Sequence, residues 1–267
     1  MIRRITSKDN PALKTFRQLQ TRKYRERLGE FVLEGPTVIR EALEQGVRIS
    51  MAVFTDDFRE DPKGRTLIRQ MEEERIPLYC AEEGLFASAA ETQSPRGILA
   101  AARIPQWDPE ILTEPGACVL VLDRVQDPGN IGTMVRTAEA AGFRAIVAVK
   151  GTADLYGGKV SRAAAGGLLR LPVFTVENGE ALLEKMRECG KKILCTDPRS
   201  KECYYDAPMA EDIALVIGNE AGGVSKEILE GADLTVGIPM EGRTESLNAA
   251  VSAGILMYES LRQRRMI

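Results

Sequence analysis

Apolar and polar positions divide this chain into two stretches of different texture. Over residues 1 to 104 the apolar runs are short and interrupted. Phe31-Val32-Leu33, Val47 to Phe54, Ile76 to Tyr79 and Ile98 to Ala102 predict strands. Helical spacing predicts helices between them: Leu13, Phe16 and Leu19 after Asn10-Pro11, Val38, Ile39, Ala42 and Leu43 after Gly35-Pro36, and the span Thr66 to Arg75. Alternation of this kind predicts a small α/β unit. Residues 105 to 116 hold Pro105, Pro109 and Pro115 around Trp107 without a period, which predicts a linker. From residue 117 to 267 the pattern sharpens into a second domain. Ala117 to Leu122, Ala145 to Val149 and Ile213 to Ile217 are continuous apolar runs, as expected of strands buried on both faces of a parallel sheet. Leu171 to Phe174, Lys192 to Thr196 and Leu234 to Ile238 predict further strands. Helices are predicted over TMVRTAEAAGF, in the Ala- and Gly-rich stretch before Leu171, over Glu180 to Cys189, and from Lys226.

The last predicted strand closes at Pro239, and a polar loop leads to a helix over residues 247 to 259. Ser246 stands where its N-cap is expected. Leu247, Val251, Ile255 and Tyr258 recur at near-helical spacing, while Ala249, Ala250, Ser252, Ala253 and Gly254 are small. Small residues let backbones approach closely, so this helix is expected to be buried on most sides. Asn248 in its first turn then requires a specific hydrogen-bond partner, because an unpaired buried amide is costly.

Composition narrows the chemistry. The chain has no histidine, which removes histidine-based triads, histidine metal sites and histidine general bases. Its five cysteines form no C-x-x-C pair, so reduced thiols are expected and no zinc site. No apolar run reaches the length of a membrane span, and MIRRITSKDN lacks a signal-peptide core, so a cytoplasmic location without membrane attachment is expected. The net charge of −3 hides an uneven distribution. Arg3, Arg4, Lys8, Lys14, Arg17, Arg22, Lys23, Arg25 and Arg27 face only Asp9 and Glu26 in the first 27 residues, a footprint suited either to phosphate or to a plain solvated helix face. Aromatic residues are sparse there, so contact with RNA is expected through phosphate and shape.

Polar residues of unusual type gather after three predicted strands: Asn130 with Arg136, Asn219 with Glu220, and Ser246 with Asn248. The segments LDRVQDPGNIGTMVRTAEAAGF, VIGNEAGGVS and IPMEGRTESLNAAVSAGILMYE, in this order, resemble the three motifs of the SpoU/TrmH branch of the SPOUT RNA methyltransferases. ITSKDNPALKTFRQLQTRKYRERLGEFVLEG and SPRGILAAAR resemble that family's ribosomal-protein-like substrate-binding domain. The chain departs from the motifs at Ala249-Ala250, where Val-Ser or Val-Ala is frequent, and at Gly157-Gly158, where Asn-Pro is frequent.

The resemblance implies an α/β protein with a C-terminal parallel-sheet SPOUT domain closed by a trefoil knot, and a small N-terminal α/β domain. It implies a homodimer through the C-terminal domain and transfer of methyl from S-adenosylmethionine to a ribose 2'-hydroxyl of RNA. Ribosomal RNA is favoured over transfer RNA because the basic N-terminal domain suits a large structured RNA. A non-catalytic RNA-binding assembly factor with the same fold is the competing class, and binding of S-adenosylmethionine separates the two. Asn130, Arg136, Glu220, Ser246 and Asn248 are the implied catalytic set, and Thr196, Gly218, Asn219, Glu220, Ile238, Met240, Leu247 and Asn248 the implied cofactor set. Without histidine the candidate bases are Glu220 and, by the resemblance, Arg136; since arginine stays protonated, Arg136 is expected rather to clamp phosphate and the developing alkoxide. Arg3, Arg4, Lys14, Arg17, Arg22, Lys23, Arg25 and Arg27, with Lys159 and Arg162, are expected on RNA. No metal is expected.

Overall fold

A computed structural model describes residues 2–266. The chain forms two compact units, residues 1–106 with 154–169, and residues 107–153 with 170–267.

In the first unit the chain runs through β1 (Ile2–Ile5), α1 (Pro11–Leu19), α2 (Arg22–Leu28), β2 (Glu30–Glu34), α3 (Pro36–Glu44), β3 (Ile49–Thr55), α4 (Asp56–Glu60), α5 (Pro62–Glu73), β4 (Leu78–Ala81), α6 (Glu83–Ala87) and β5 (Ile98–Arg103). The strands lie in the order β1-β4-β3-β5-β2. β1, β4 and β3 are parallel, and β5 is antiparallel to both β3 and β2. Asn10 caps α1 as its sequence predicts, accepting from the Ala12 N–H at 2.9 Å with Pro11 in the first turn. β1 has no counterpart among the predicted strands. Its exposed Arg3-Arg4 pair masks it, as charge on an edge strand does.

Residues 154–169 pack with this first unit, although their position after the second domain's first two strands suggests otherwise. They contain α8 (Gly158–Ala163) and enter α9 (Gly167–Arg170). Tyr156 sets its ring edge-on to Phe31 at 5.0 Å, and Leu169 is buried in the core with Phe31, Leu33 and Ile39. Arg25 donates to Asp154 at 2.5 and 2.7 Å and to the Leu19 carbonyl at 2.5 Å.

The second unit carries β6 (Val119–Asp123), α7 (Pro128–Ala140), β7 (Ala145–Val149), β8 (Val173–Val176), α10 (Gly179–Glu188), β9 (Lys192–Thr196), β10 (Ile213–Gly218), α11 (Lys226–Gly231), β11 (Leu234–Val236) and α12 (Ala249–Arg264). Its six strands are all parallel, in the order β11-β9-β10-β6-β7-β8. Every residue of β6, β7 and β10 is buried, which accounts for the apolar runs Val119 to Leu122, Ala145 to Val149 and Ile213 to Ile217. One face packs Val121, Val147 and Val216 with Leu182 and Met186 of α10. α12 packs on α7 and β10. The expected linker is partly ordered: Pro109–Thr113 forms a 3-10 turn, and Leu112 is buried with the second core.

α12 corrects two expectations. Asn248, not Ser246, is its N-cap, accepting from the Ala250 and Val251 N–H groups at 2.9 and 3.3 Å. Two residues of the expected apolar stripe also do not face inward: Val251 is 52% and Tyr258 51% exposed. The inner face is built from Ala250, Ala253, Leu256, Met257 and Ser260. Half-buried Gly254 borders that face, and a Cβ there would meet Thr137 on α7 at 3.9 Å, an ordinary van der Waals contact. The inner face thus mixes the small Ala250, Ala253 and Ser260 with the large Leu256 and Met257, and leaves Val251 and Tyr258 outside. Among the described residues no helix is long and apolar enough to cross a membrane.

Candidate functional site

The carboxyl ends of β6, β10, β9 and β11 lie side by side, the edge at which open α/β sheets bind ligands. Register fixes their levels. Gly218 pairs with Asp123, Val216 with Cys195, and Val236 with Thr196. The Thr196 hydroxyl donates to the Val216 carbonyl at 3.2 Å, tying β9 to β10 at this edge.

After β6 the chain turns through Arg124 to Asp127, and Asp127 caps α7 by accepting from the Asn130 N–H at 2.7 Å. The helix thus begins earlier than the expected TMVRTAEAAGF, with Asp127 as cap and Pro128 in its first turn. After β10, Asn219 and Gly223 exchange backbone hydrogen bonds at 3.0 and 2.8 Å, folding the loop back on the strand end. Gly218 makes that fold possible, since a Cβ there would lie 2.1 Å from Gly223 and Val224 backbone atoms. Asn219 Oδ1 accepts from the Ala221 and Gly222 N–H groups at 3.0 Å, and its Nδ2 donates to the Arg124 carbonyl at 2.9 Å. Beyond β11, Ser200 and Asp197 carbonyls crowd Gly237, where a Cβ would stand 3.1 Å from the former, and Ile238, Met240 and Leu247 follow half-buried.

Three of the residues singled out in the sequence are joined directly. Asn248 Nδ2 donates to Asn130 Oδ1 at 2.9 Å, and Asn130 Nδ2 donates to Glu220 Oε1 at 3.1 Å. Glu220 also accepts from the backbone N–H of Asp127 at 3.0 Å and of Gln126 at 3.1 Å. Burial pushes the Glu220 carboxyl up. The backbone N–H groups of Gln126, Asp127 and Glu220 itself, with the Asn130 amide, outweigh it and hold the acid below its ordinary 4.5. Glu220 is therefore a carboxylate at neutral pH and a weak base.

Arg136 and Ser246 stand outside this chain of bonds. Both are exposed, and no hydrogen bond or ion pair engages Arg136 among the described residues. Glu139, the partner that helical spacing would offer it, is taken by Arg170 at 3.0 Å.

The expected RNA contacts separate by burial. Lys14, Lys23 and Lys159 are exposed, as is Arg3. Arg22 pairs with Glu26 at 2.7 Å, Arg4 with Asp56 at 2.5 Å, and Arg27 lies over the Tyr24 ring at 4.4 Å. Arg17 donates to the Lys8 carbonyl at 2.6 Å, and Arg162 bridges Glu91 and Glu34 at 2.9 and 3.2 Å. Arg25 departs from its expected place on the basic surface. It is 6% exposed, and its guanidinium is consumed by Asp154 and Leu19. Its partner lies 129 positions away, so charge patterning along the sequence could not expose it. Among the described residues no cluster of three or more acidic or cysteine side chains is placed to hold a metal.

Comparison with known proteins extends over both units. The model of the SpoU rRNA Methylase family matches residues 117–258, and that of the MRM3-like substrate binding domain matches residues 10–100. The 23S rRNA (guanosine(2553)-2'-O)-methyltransferase RlmP of Bacillus subtilis is 35% identical over 257 residues, covering 96% of this chain and 98% of its own. The 23S rRNA (uridine(2479)-2'-O)-methyltransferase of Streptomyces viridochromogenes is 33% identical, covering 98% of this chain and 93% of its own. An AdoMet-bound rRNA methyltransferase from Sinorhizobium meliloti superposes with a TM-score of 0.87 at 27% identity, over 98% of both chains.

Proposed function

Because this chain belongs to the SpoU rRNA methylase family, we propose that it transfers methyl from S-adenosylmethionine to a ribose 2'-hydroxyl of ribosomal RNA. The observation that carries this reading is the hydrogen-bonded series Asn248–Asn130–Glu220, which draws three strand-end loops onto one edge of the sheet.

The residues at that edge fit the cofactor. The back-folded loop at Gly218 presents backbone groups with no Cβ in the way. Ile238, Met240 and Leu247 add half-buried apolar surface, and Thr196, Asn219 and Asn248 add polar groups suited to a purine and an amino-acid tail. When bound, S-adenosylmethionine supplies an electrophilic methyl on a sulfonium.

The remaining work is placement of the ribose hydroxyl, in which misalignment of reacting groups by an ångström is costly. Asn130 is held from both sides by Asn248 and Glu220, so its amide is fixed in orientation. A carboxyl kept below 4.5 is poorly matched to taking a proton from a sugar hydroxyl, since an effective base titrates near the working pH. Glu220 serves as the fastening of the loops. Arg136 is unengaged and permanently charged, which suits it to hold the RNA phosphate and to stabilise the developing alkoxide.

The exposed Val251 and Tyr258 on α12 support a homodimer in which a second copy covers this stripe beside Asn248. The trefoil knot that the family resemblance implies is part of the same reading. Buried, unpaired Cys80, Cys118, Cys189 and Cys195 suit a reducing cytoplasm.

Incubation with methyl-labelled S-adenosylmethionine and either ribosomal or transfer RNA tests the assignment. Label is expected in the ribose of ribosomal RNA. Binding of the cofactor without transfer to any RNA would reject the enzyme, and label confined to transfer RNA would reject the substrate.

A further inference from the structure

Arg124, the residue after β6, has a left-handed backbone with φ 57°. That conformation is costly for a residue with a Cβ and persists only where its surroundings impose it. Its N–H donates to Thr152 Oγ1 at 3.1 Å, and its carbonyl accepts from Asn219 Nδ2 at 2.9 Å and Gln126 Nε2 at 3.0 Å. Thr152 is fixed in turn by donating to the Leu122 carbonyl at 2.9 Å. Gly151, itself at φ 102°, leaves room for the side chain, since a Cβ there would stand 3.1 Å from Arg124 Cγ.

The guanidinium is oriented but not used up. Nε donates to Asp123 Oδ1 at 3.0 Å, and Asp123 is buried with its other oxygen on the Ser225 N–H at 2.6 Å. The Arg124 side chain is 49% exposed, and its two terminal nitrogens have no partner among the described residues. Neutralising Asp123 alone would need neither the strained backbone nor a half-exposed fork. Glycine at this position would make the turn without strain.

The Arg124 carbonyl is bonded to Asn219, next to Glu220, and to Gln126, whose own N–H is on Glu220. Arg124 thus belongs to the loop pair that joins Asn130 to Glu220. That edge also bears the Asp127 and Glu220 carboxylates, which repel a polyanion. We propose that Arg124 grips a backbone phosphate of the substrate RNA through its terminal nitrogens, with Asp123 fixing the direction of the fork. A planar guanidinium held at Nε presents its remaining donors to phosphate in a set direction. This inference rests on the RNA-methyltransferase reading and adds to it a second cation beside the reacting ribose.

Arg124→Gly in the full-length protein tests it, since glycine accepts the left-handed turn. RNA affinity is expected to fall roughly tenfold at low salt, the range of one charged hydrogen-bond contact. The slope of log affinity against log salt is expected to fall by about one. Binding of labelled S-adenosylmethionine should be unchanged, which separates a phosphate from the carboxylate of the cofactor. Wild-type affinity and salt slope in a folded Arg124→Gly protein would overturn the proposal. Should that variant not fold, Arg124→Gln retains a side-chain donor and carries the same comparison. Unfolding of both would assign Arg124 to Asp123 alone and overturn the proposal equally. If the wild-type protein itself bound no RNA, the methyltransferase reading would fail first, and this one with it.

Discussion

Asn248 donates from Nδ2 to Oδ1 of Asn130 across 118 positions of sequence, while its own Oδ1 caps α12. One amide therefore ends a loop, starts a helix and reaches the residue that is bonded to Glu220.

Replacing Asn130 by alanine removes both bonds at once without touching the cap of α7, which Asp127 supplies. The stability cost should stay near 1 kcal/mol per lost bond because the groups are largely exposed. Methyl transfer should fall about 100-fold through misplacement of the loops. Thermal melting beside kcat/KM separates the two effects, and unimpaired transfer would remove Asn130 from the site.

Glu220 gives a pH dependence of defined sign. Its folded acid lies below the ordinary value, so the stability it contributes is present above about pH 4.5 and is lost as pH falls through the folded value. The wild-type urea midpoint should therefore drop more steeply than that of Glu220→Gln between pH 5 and pH 3. Parallel curves would show that the hydrogen bonds do not hold the carboxylate. At neutral pH the group is fully ionised, so the rate should show no Glu220 titration there.

Arg25 and Lys23 are neighbours in sequence with opposite expected roles. Removing one member of a buried ion pair costs about 3–5 kcal/mol, and partial exposure of Asp154 brings Arg25→Ala to about 2–4 kcal/mol. Lys23→Ala should stay within about 0.5 kcal/mol but weaken RNA binding at low salt. Urea unfolding and salt-titrated RNA binding read the two; a stable Arg25→Ala protein with weakened RNA affinity would return Arg25 to the RNA surface.

The outward stripe of α12 predicts an oligomer. Val251→Lys with Tyr258→Glu places charge on a surface already half-exposed in a single chain, so the fold should tolerate it. Light scattering should show a dimer for the wild type and a monomer for the variant, with loss of transfer. A monomeric wild type would discard the dimer.

The legible parts of this fold were those in which one residue suffices to signal its environment. β6, β7 and β10 are built on apolar runs because both faces are covered, and Asn10-Pro11 announces a helix start, whereas the start at Asp127-Pro128 was placed too late. The hidden parts depend on partners remote in sequence. Periodicity found α12 but not which side faces inward: Val251 and Tyr258 of the apolar stripe lie outward, while Ala253, Leu256 and Met257 are buried. Charge counting placed Arg25 on the surface because Asp154 is distant. Of the site, the motif residues Asn130, Glu220 and Asn248 were legible; the left-handed turn at Arg124 and its hold on Asn219 were not, as no residue type demands them.

Residues 154–169 give the chain a discontinuous N-terminal body. A fragment cut after residue 106 would lack Tyr156 against Phe31, Leu169 in the core and the counter-ion of Arg25. Excision at the proline-rich junction therefore does not release a self-sufficient N-terminal module. Grafting that module elsewhere would require carrying the later strap along, joined back by an artificial connection.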